Sequence, residues 1–122
     1  MTGPCVIHGL GGDDIITGST AVLGDTICAG SGHDRVDAAA GPDRVFGGPG
    51  NDMLNGQGGA DMLFGGYGDD TIKGGLGPDT IDGGPGNDHL EGNQNTDTMN
   101  GRAGTDRCVL QDIDVTLGCE TN

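Results

Sequence analysis

Tryptophan is missing from this 122-residue chain, and one Tyr and two Phe are its only aromatic residues. Hydrophobic residues of every kind reach 32%. An ordinary globular core of large interlocking side chains is therefore excluded, because so little apolar volume cannot offset the conformational entropy of ordering. Positive charge is scarce too: Lys and Arg number 5 against 19 Asp and Glu, a formal net charge of −14. A phosphate backbone needs the opposite sign, so nucleic acid is excluded as a partner. No run approaches the roughly 20 apolar residues of a membrane-spanning helix. Met1 is followed directly by Thr2, Gly3, Pro4 and Cys5, with neither a charged n-region nor an apolar stretch. The expectation is a chain from which an export signal is absent.

What the chain has is glycine, 28 residues of it, and 17 aspartates among its 19 acids. Such a composition reads as disordered unless it repeats. It does repeat. Asp34, Asp43, Asp52, Asp61, Asp70, Asp79, Asp88, Asp97 and Asp106 follow at intervals of nine, and Asp14 and Asp25 join the series at an interval of eleven. Two residues after each comes an apolar position: Ile16, Ile27, Val36, Val45, Leu54, Leu63, Ile72, Ile81, Leu90, Met99 and Cys108. Strand alternation turns the middle of a three-residue strand inward, so each block predicts a turn followed by one short strand. One such strand cannot bury its side chain alone. Two blocks make a coil of about 18 residues, and stacked coils give two parallel sheets facing each other through the aliphatic ladder. Helix is excluded by the glycine density and the lack of a 3.6-residue period.

The predicted fold is all-β: a right-handed parallel β-roll, or β-solenoid, of about five to six coils. It forms a single domain over 1–122. Residues 1–33 are an N-terminal cap and degenerate coil, 34–109 the regular repeats, and 110–122 a closing strand in which Ile113, Val115 and Leu117 alternate.

The repeating unit is G-G-x-G-x-D-x-U-x, with U aliphatic, complete at 47–55, 65–73, 74–82 and 83–91 and weaker from about residue 9 to 109. In this the chain resembles the hemolysin-type calcium-binding family, the repeats-in-toxin or RTX nonapeptides. The resemblance implies several bound Ca²⁺ ions, with Asp14, Asp25, Asp34, Asp43, Asp52, Asp61, Asp70, Asp79, Asp88, Asp97 and Asp106 as metal ligands. The turn glycines Gly47, Gly48, Gly50, Gly65, Gly66, Gly68, Gly74, Gly75, Gly77, Gly83, Gly84 and Gly86 complete the sites. Physical chemistry agrees. Ca²⁺ takes six to eight oxygens, and glycine reaches positive φ, which lets successive carbonyls bend toward one point. Alternate turns stack, so an ion between two of them can draw on both coils.

The turn columns are unequal. The one ending at Asp34, Asp52, Asp70, Asp88 and Asp106 keeps Gly at its fourth position, whereas the other carries Leu23 and Asn95 at its ends. A full ion row is expected in the first and weak ends in the second. The expected function is a secreted, bacterial structural or binding module that folds on calcium and is not an enzyme. No nucleophile–base pair is suggested, since the His residues fall on different coils. The alternative is a protein-interaction or adhesin module using an outward strip of Phe46, Phe64 and Met62, with calcium only structural.

Cys5 and Cys28 flank the first coil and Cys108 and Cys119 the last. Coils about 4.8 Å apart put the two pairs some 25 Å from each other, and a disulfide needs Cα atoms within about 7 Å. The expected bonds are Cys5–Cys28 and Cys108–Cys119, one staple at each end, in an oxidising compartment. This departs from the type I-secreted members of the family, which generally lack cysteine, and fits Sec-type export. A zinc site of Cys5, His8, Cys28 and His33 is the competing reading.

Overall fold

A computed structural model describes residues 6–20, 23–111 and 114–120. Its described residues form thirteen strands and no helix. One set is β1 (Ile7–His8), β3 (Thr26–Cys28), β5 (Arg44–Phe46), β7 (Met62–Phe64), β9 (Thr80–Asp82), β11 (Thr98–Asn100) and β13 (Val115–Leu117). The other is β2 (Ile15–Thr17), β4 (Arg35–Asp37), β6 (Met53–Gly58), β8 (Thr71–Leu76), β10 (His89–Gln94) and β12 (Arg107–Val109). Odd-numbered strands lie side by side in chain order as a seven-stranded sheet, and even-numbered strands as a six-stranded one. All pairings are parallel. The chain thus winds as a β-solenoid, passing from one sheet to the other at every turn.

The aliphatic ladder is the core. Ile16, Ile27, Val36, Val45, Leu54, Leu63, Ile72, Ile81, Leu90, Met99 and Cys108 are all buried, joined by Ala29 and Ala38. Register holds like above like: Val45 pairs with Leu63, Leu63 with Ile81, and Leu54 with Ile72. Successive coils are offset by 18 residues, except that the first spans 20, where the inserted pair falls, and the last 17.

One expectation is corrected. The strands β6, β8 and β10 run six residues rather than three. Their ladders continue past the inward Gly56, Gly74 and Gly92, where pairs such as Gln57 with Gly75 and Gly58 with Leu76 stay in register. The closing strand is present as β13, with its apolar residues on the outer face. Val115 and Leu117 face solvent at 52% and 61% exposure, while Thr116 aligns with inward Met99. Cys108 and Cys119 are bonded, with Cα atoms 5.6 Å apart. The expected Cys5–Cys28 bond lies outside the described residues through Cys5, and so does Ile113.

Candidate metal centre

Each turn ends in an aspartate that plugs into the coil before it. The Asp52 backbone N–H donates to Asp70 Oδ1 at 2.8 Å, Asp70 N–H to Asp88 Oδ1 at 2.8 Å, and Asp88 N–H to Asp106 Oδ1 at 2.8 Å. The second column does the same, from Asp43 to Asp61 at 2.8 Å and from Asp61 to Asp79 at 2.9 Å. These carboxylates are as buried as the aliphatic ladder: Asp34, Asp52, Asp70 and Asp88 are at most 2% exposed.

One oxygen of each is satisfied by this ladder and the other is not. Oδ2 of Asp14, Asp34, Asp43, Asp52, Asp61, Asp70, Asp79, Asp88 and Asp106 is buried and accepts no hydrogen bond. A buried polar atom left this way costs about 1–3 kcal/mol, more when charged. A row of them demands a positive partner. Asp25 is different, because its Oδ2 accepts the Ser19 N–H at 2.5 Å.

The glycines make the surrounding turns possible. Gly48, Gly50, Gly66, Gly68, Gly75, Gly77, Gly84 and Gly86 all have φ between 91° and 142°. The first glycine of each block serves a different purpose. A Cβ built on Gly65 would lie 2.4 Å from Asp70 Oδ2 and 2.6 Å from the Gly83 carbonyl oxygen. Gly47, Gly56 and Gly74 face the equivalent carboxylate and carbonyl oxygens. Oxygens of two coils therefore converge on a space of hydrogen size. Among the described residues no three His, Cys, Asp or Glu side chains gather into a metal cluster. Carboxylate and backbone carbonyl oxygens together offer a cation an all-oxygen set, which suits a hard ion such as Ca²⁺.

The electrostatics point the same way. Burial pushes Asp70 up to about 8; the N–H of Asp52 opposes this, and the charges of Asp52, Asp88 and Asp69 add to it. Burial likewise lifts Asp79 to about 7 and Asp52, Asp61 and Asp88 to about 6. Asp43 is raised for the same reason. The largest rises fall mid-solenoid, where a carboxylate has coils on both sides. A carboxylate held out of water beside its own kind is stabilised by a cation.

The RTX calcium-binding nonapeptide repeat, in four copies, matches residues 6–20, 29–63, 46–81, 64–99 and 74–108. The chain belongs to this family. Neither the curated proteins nor the solved structures hold a match to it. RTX repeats bind calcium, and the bare, buried aspartate oxygens fit that ion.

Two parts of the RTX scaffold escape a reading phased on aspartate. The first is an outer ladder one residue earlier in the first column. His33 N–H donates to Asp13 Oδ1, Asn51 N–H to His33 Nδ1 and Asp69 N–H to Asn51 Oδ1, at 2.9, 2.9 and 2.8 Å. Asn87 and Thr105 continue it. It runs opposite to the aspartate ladder, since here the later coil donates. The second column has Pro42, Ala60 and Pro78 at this place, and a proline has no N–H to satisfy. That contrast of acceptors against prolines was the available signal. The second missed part is Asp114, whose Oδ1 accepts the Asp97 N–H at 3.0 Å. The zinc reading fails, because Cys28 is disulfide-bonded and offers no thiolate. His8 aligns with Cys28 in the seven-stranded sheet, whereas His33 belongs to the outer ladder of a turn.

Proposed function

We propose that this domain is a non-enzymatic, secreted module that folds on several Ca²⁺ ions held between stacked turns. The observation that carries this reading is the repeated buried carboxylate oxygen with no donor. Without metal, 14 net negative charges repel one another along a thin core. The disulfide between Cys108 and Cys119 supports an oxidising, extracellular setting, where calcium modules work at affinities on the order of 10⁻⁴–10⁻³ M. Asp34, Asp52, Asp70, Asp88 and Asp106 form the fuller ion row. The second row weakens toward Asn95, which adopts φ 81° and turns its side chain onto the Gly77 N–H. The adhesin alternative gains less support. Phe46 and Phe64 stack on each other at 5.0 Å and 7°, half-buried, so their facing surfaces are already used.

The deciding experiment pairs calcium titration calorimetry with far-UV circular dichroism. A β signal that develops with calcium uptake is expected, and an equally β-rich spectrum in excess chelator overturns the proposal.

A further inference from the structure

The two aspartate columns end differently. In the column from Asp14 through Asp34, Asp52, Asp70 and Asp88 to Asp106, the Oδ2 atoms of the first and last members are as bare as those between. The other column starts at Asp25 and closes on Asp114. At both its ends a backbone amide meets the second carboxylate oxygen. Ser19 N–H donates to Asp25 Oδ2 at 2.5 Å, and Gln111 N–H donates to Asp114 Oδ2 at 2.9 Å. Asp43, Asp61 and Asp79, in between, receive no such donor. Both amides come from places where the period breaks. Ser19 lies in the lengthened first coil, and Gln111 lies within the shortened step from Asp97 to Asp114. Each irregularity brings an N–H to an oxygen that the regular coils leave bare.

We infer that Asp25 and Asp114 are end stops of the second column rather than calcium ligands, with the Ser19 and Gln111 amides standing where a cation would otherwise be needed. This rests on the calcium reading of the repeats. An N–H donated to Oδ2 removes the desolvation cost that makes a cation favourable at the interior carboxylates. The second ion row is thereby confined to the interior, and the first, bare to both ends, is longer. Ladder and ion row have different lengths: Asp114 continues the hydrogen bonding of Asp97 without extending the metal sites.

The test counts calcium ions by native mass spectrometry on the loaded wild-type chain and on D25N, D114N, D34N and D106N. The expectation is an unchanged count for D25N and D114N and the loss of at least one ion for D34N and D106N, which follow Asp25 and precede Asp114 in the chain as members of the first column. Amide exchange of the loaded wild type, read by NMR, covers the case of a variant that fails to fold. Ser19 and Gln111 amides should exchange at least tenfold slower than an unstructured amide, on the order expected for a formed hydrogen bond. Loss of an ion from folded D25N or D114N, or unprotected amides at Ser19 and Gln111, refutes the inference alone. A wild-type chain that takes up no calcium refutes the calcium reading and the inference with it.

Discussion

Adding one methyl group at Gly68 and another at Gly58 should move stability in opposite directions. Gly68 sits at the fourth position of its turn with φ 116°, and a Cβ there would lie 2.1 Å from the Gly50 carbonyl oxygen and 2.6 Å from its carbon. Both are backbone atoms of the coil below and cannot swing aside. Left-handed backbone costs a non-glycine residue about 1–2 kcal/mol, and overpacking adds about 1–3 kcal/mol. Gly58 has no heavy atom within 4 Å of its built Cβ and no positive φ. There alanine should gain about 0.4–1 kcal/mol by restricting the unfolded chain. Gly68→Ala is therefore expected to lose about 2–5 kcal/mol, a large share of the 5–15 kcal/mol typical of a domain. Urea unfolding in saturating calcium, followed by circular dichroism, compares the two variants with wild type. Equal midpoints for Gly68→Ala and Gly58→Ala would mean that the close approach of stacked turns does not limit this fold.

Neighbouring aspartates separate by role. Asp69→Asn keeps an acceptor for the Asn87 N–H and should leave the calcium count unchanged, whereas Asp70→Asn should lose an ion; the same count for both in calorimetry contradicts this assignment. The metal-free roll should prefer acid. Asp70 and Asp79 have folded values raised to about 8 and about 7 from 3.8, so the folded form holds protons that the unfolded chain releases. That stability is complete below 3.8 and is lost as pH rises toward 8. A chelated sample with the same β signal at both extremes rules the effect out, and calcium uptake near pH 7 should release protons into a weak buffer. Reducing Cys108–Cys119 opens a loop whose closure is worth about 3 kcal/mol. In saturating calcium, peptide-level hydrogen exchange should then show β13 fraying while Gly47 to Glu91 stays protected; uniform loss along the chain contradicts the staple.

The aspartate ladder was legible because one residue type recurs at one phase, and the aliphatic ladder because its chemistry is uniform. The outer ladder was not, since Asp13, His33, Asn51, Asp69, Asn87 and Thr105 share a position without sharing a residue type. What they share is a side chain or amide in the right place. Asp114 hid for another reason: it stands 17 residues from Asp97, off the nine-residue count. Once it is placed, the inward position two residues later falls on Thr116, and the apolar alternation of Val115 and Leu117 proves to be the exposed face. Alternation marks a strand but does not say which side of it faces inward. The six-residue reach of β6, β8 and β10 was hidden because both sheets carry a buried glycine after the aliphatic position, Gly56, Gly74 and Gly92 in one and Gly47, Gly65 and Gly83 in the other, and only the first set continues as strand.

Backbone hydrogen bonds between coils link only immediate neighbours among the described residues. Under tension applied through its ends, such a stack has no tie that spans its length. Each coil is held by the ones directly above and below, so a pull from one terminus meets them in sequence, each shielding the next until it peels. Released coils of 18 residues extend to about 60 Å apiece. The molecule is then less a block that breaks once than a tape that pays out in nearly equal lengths.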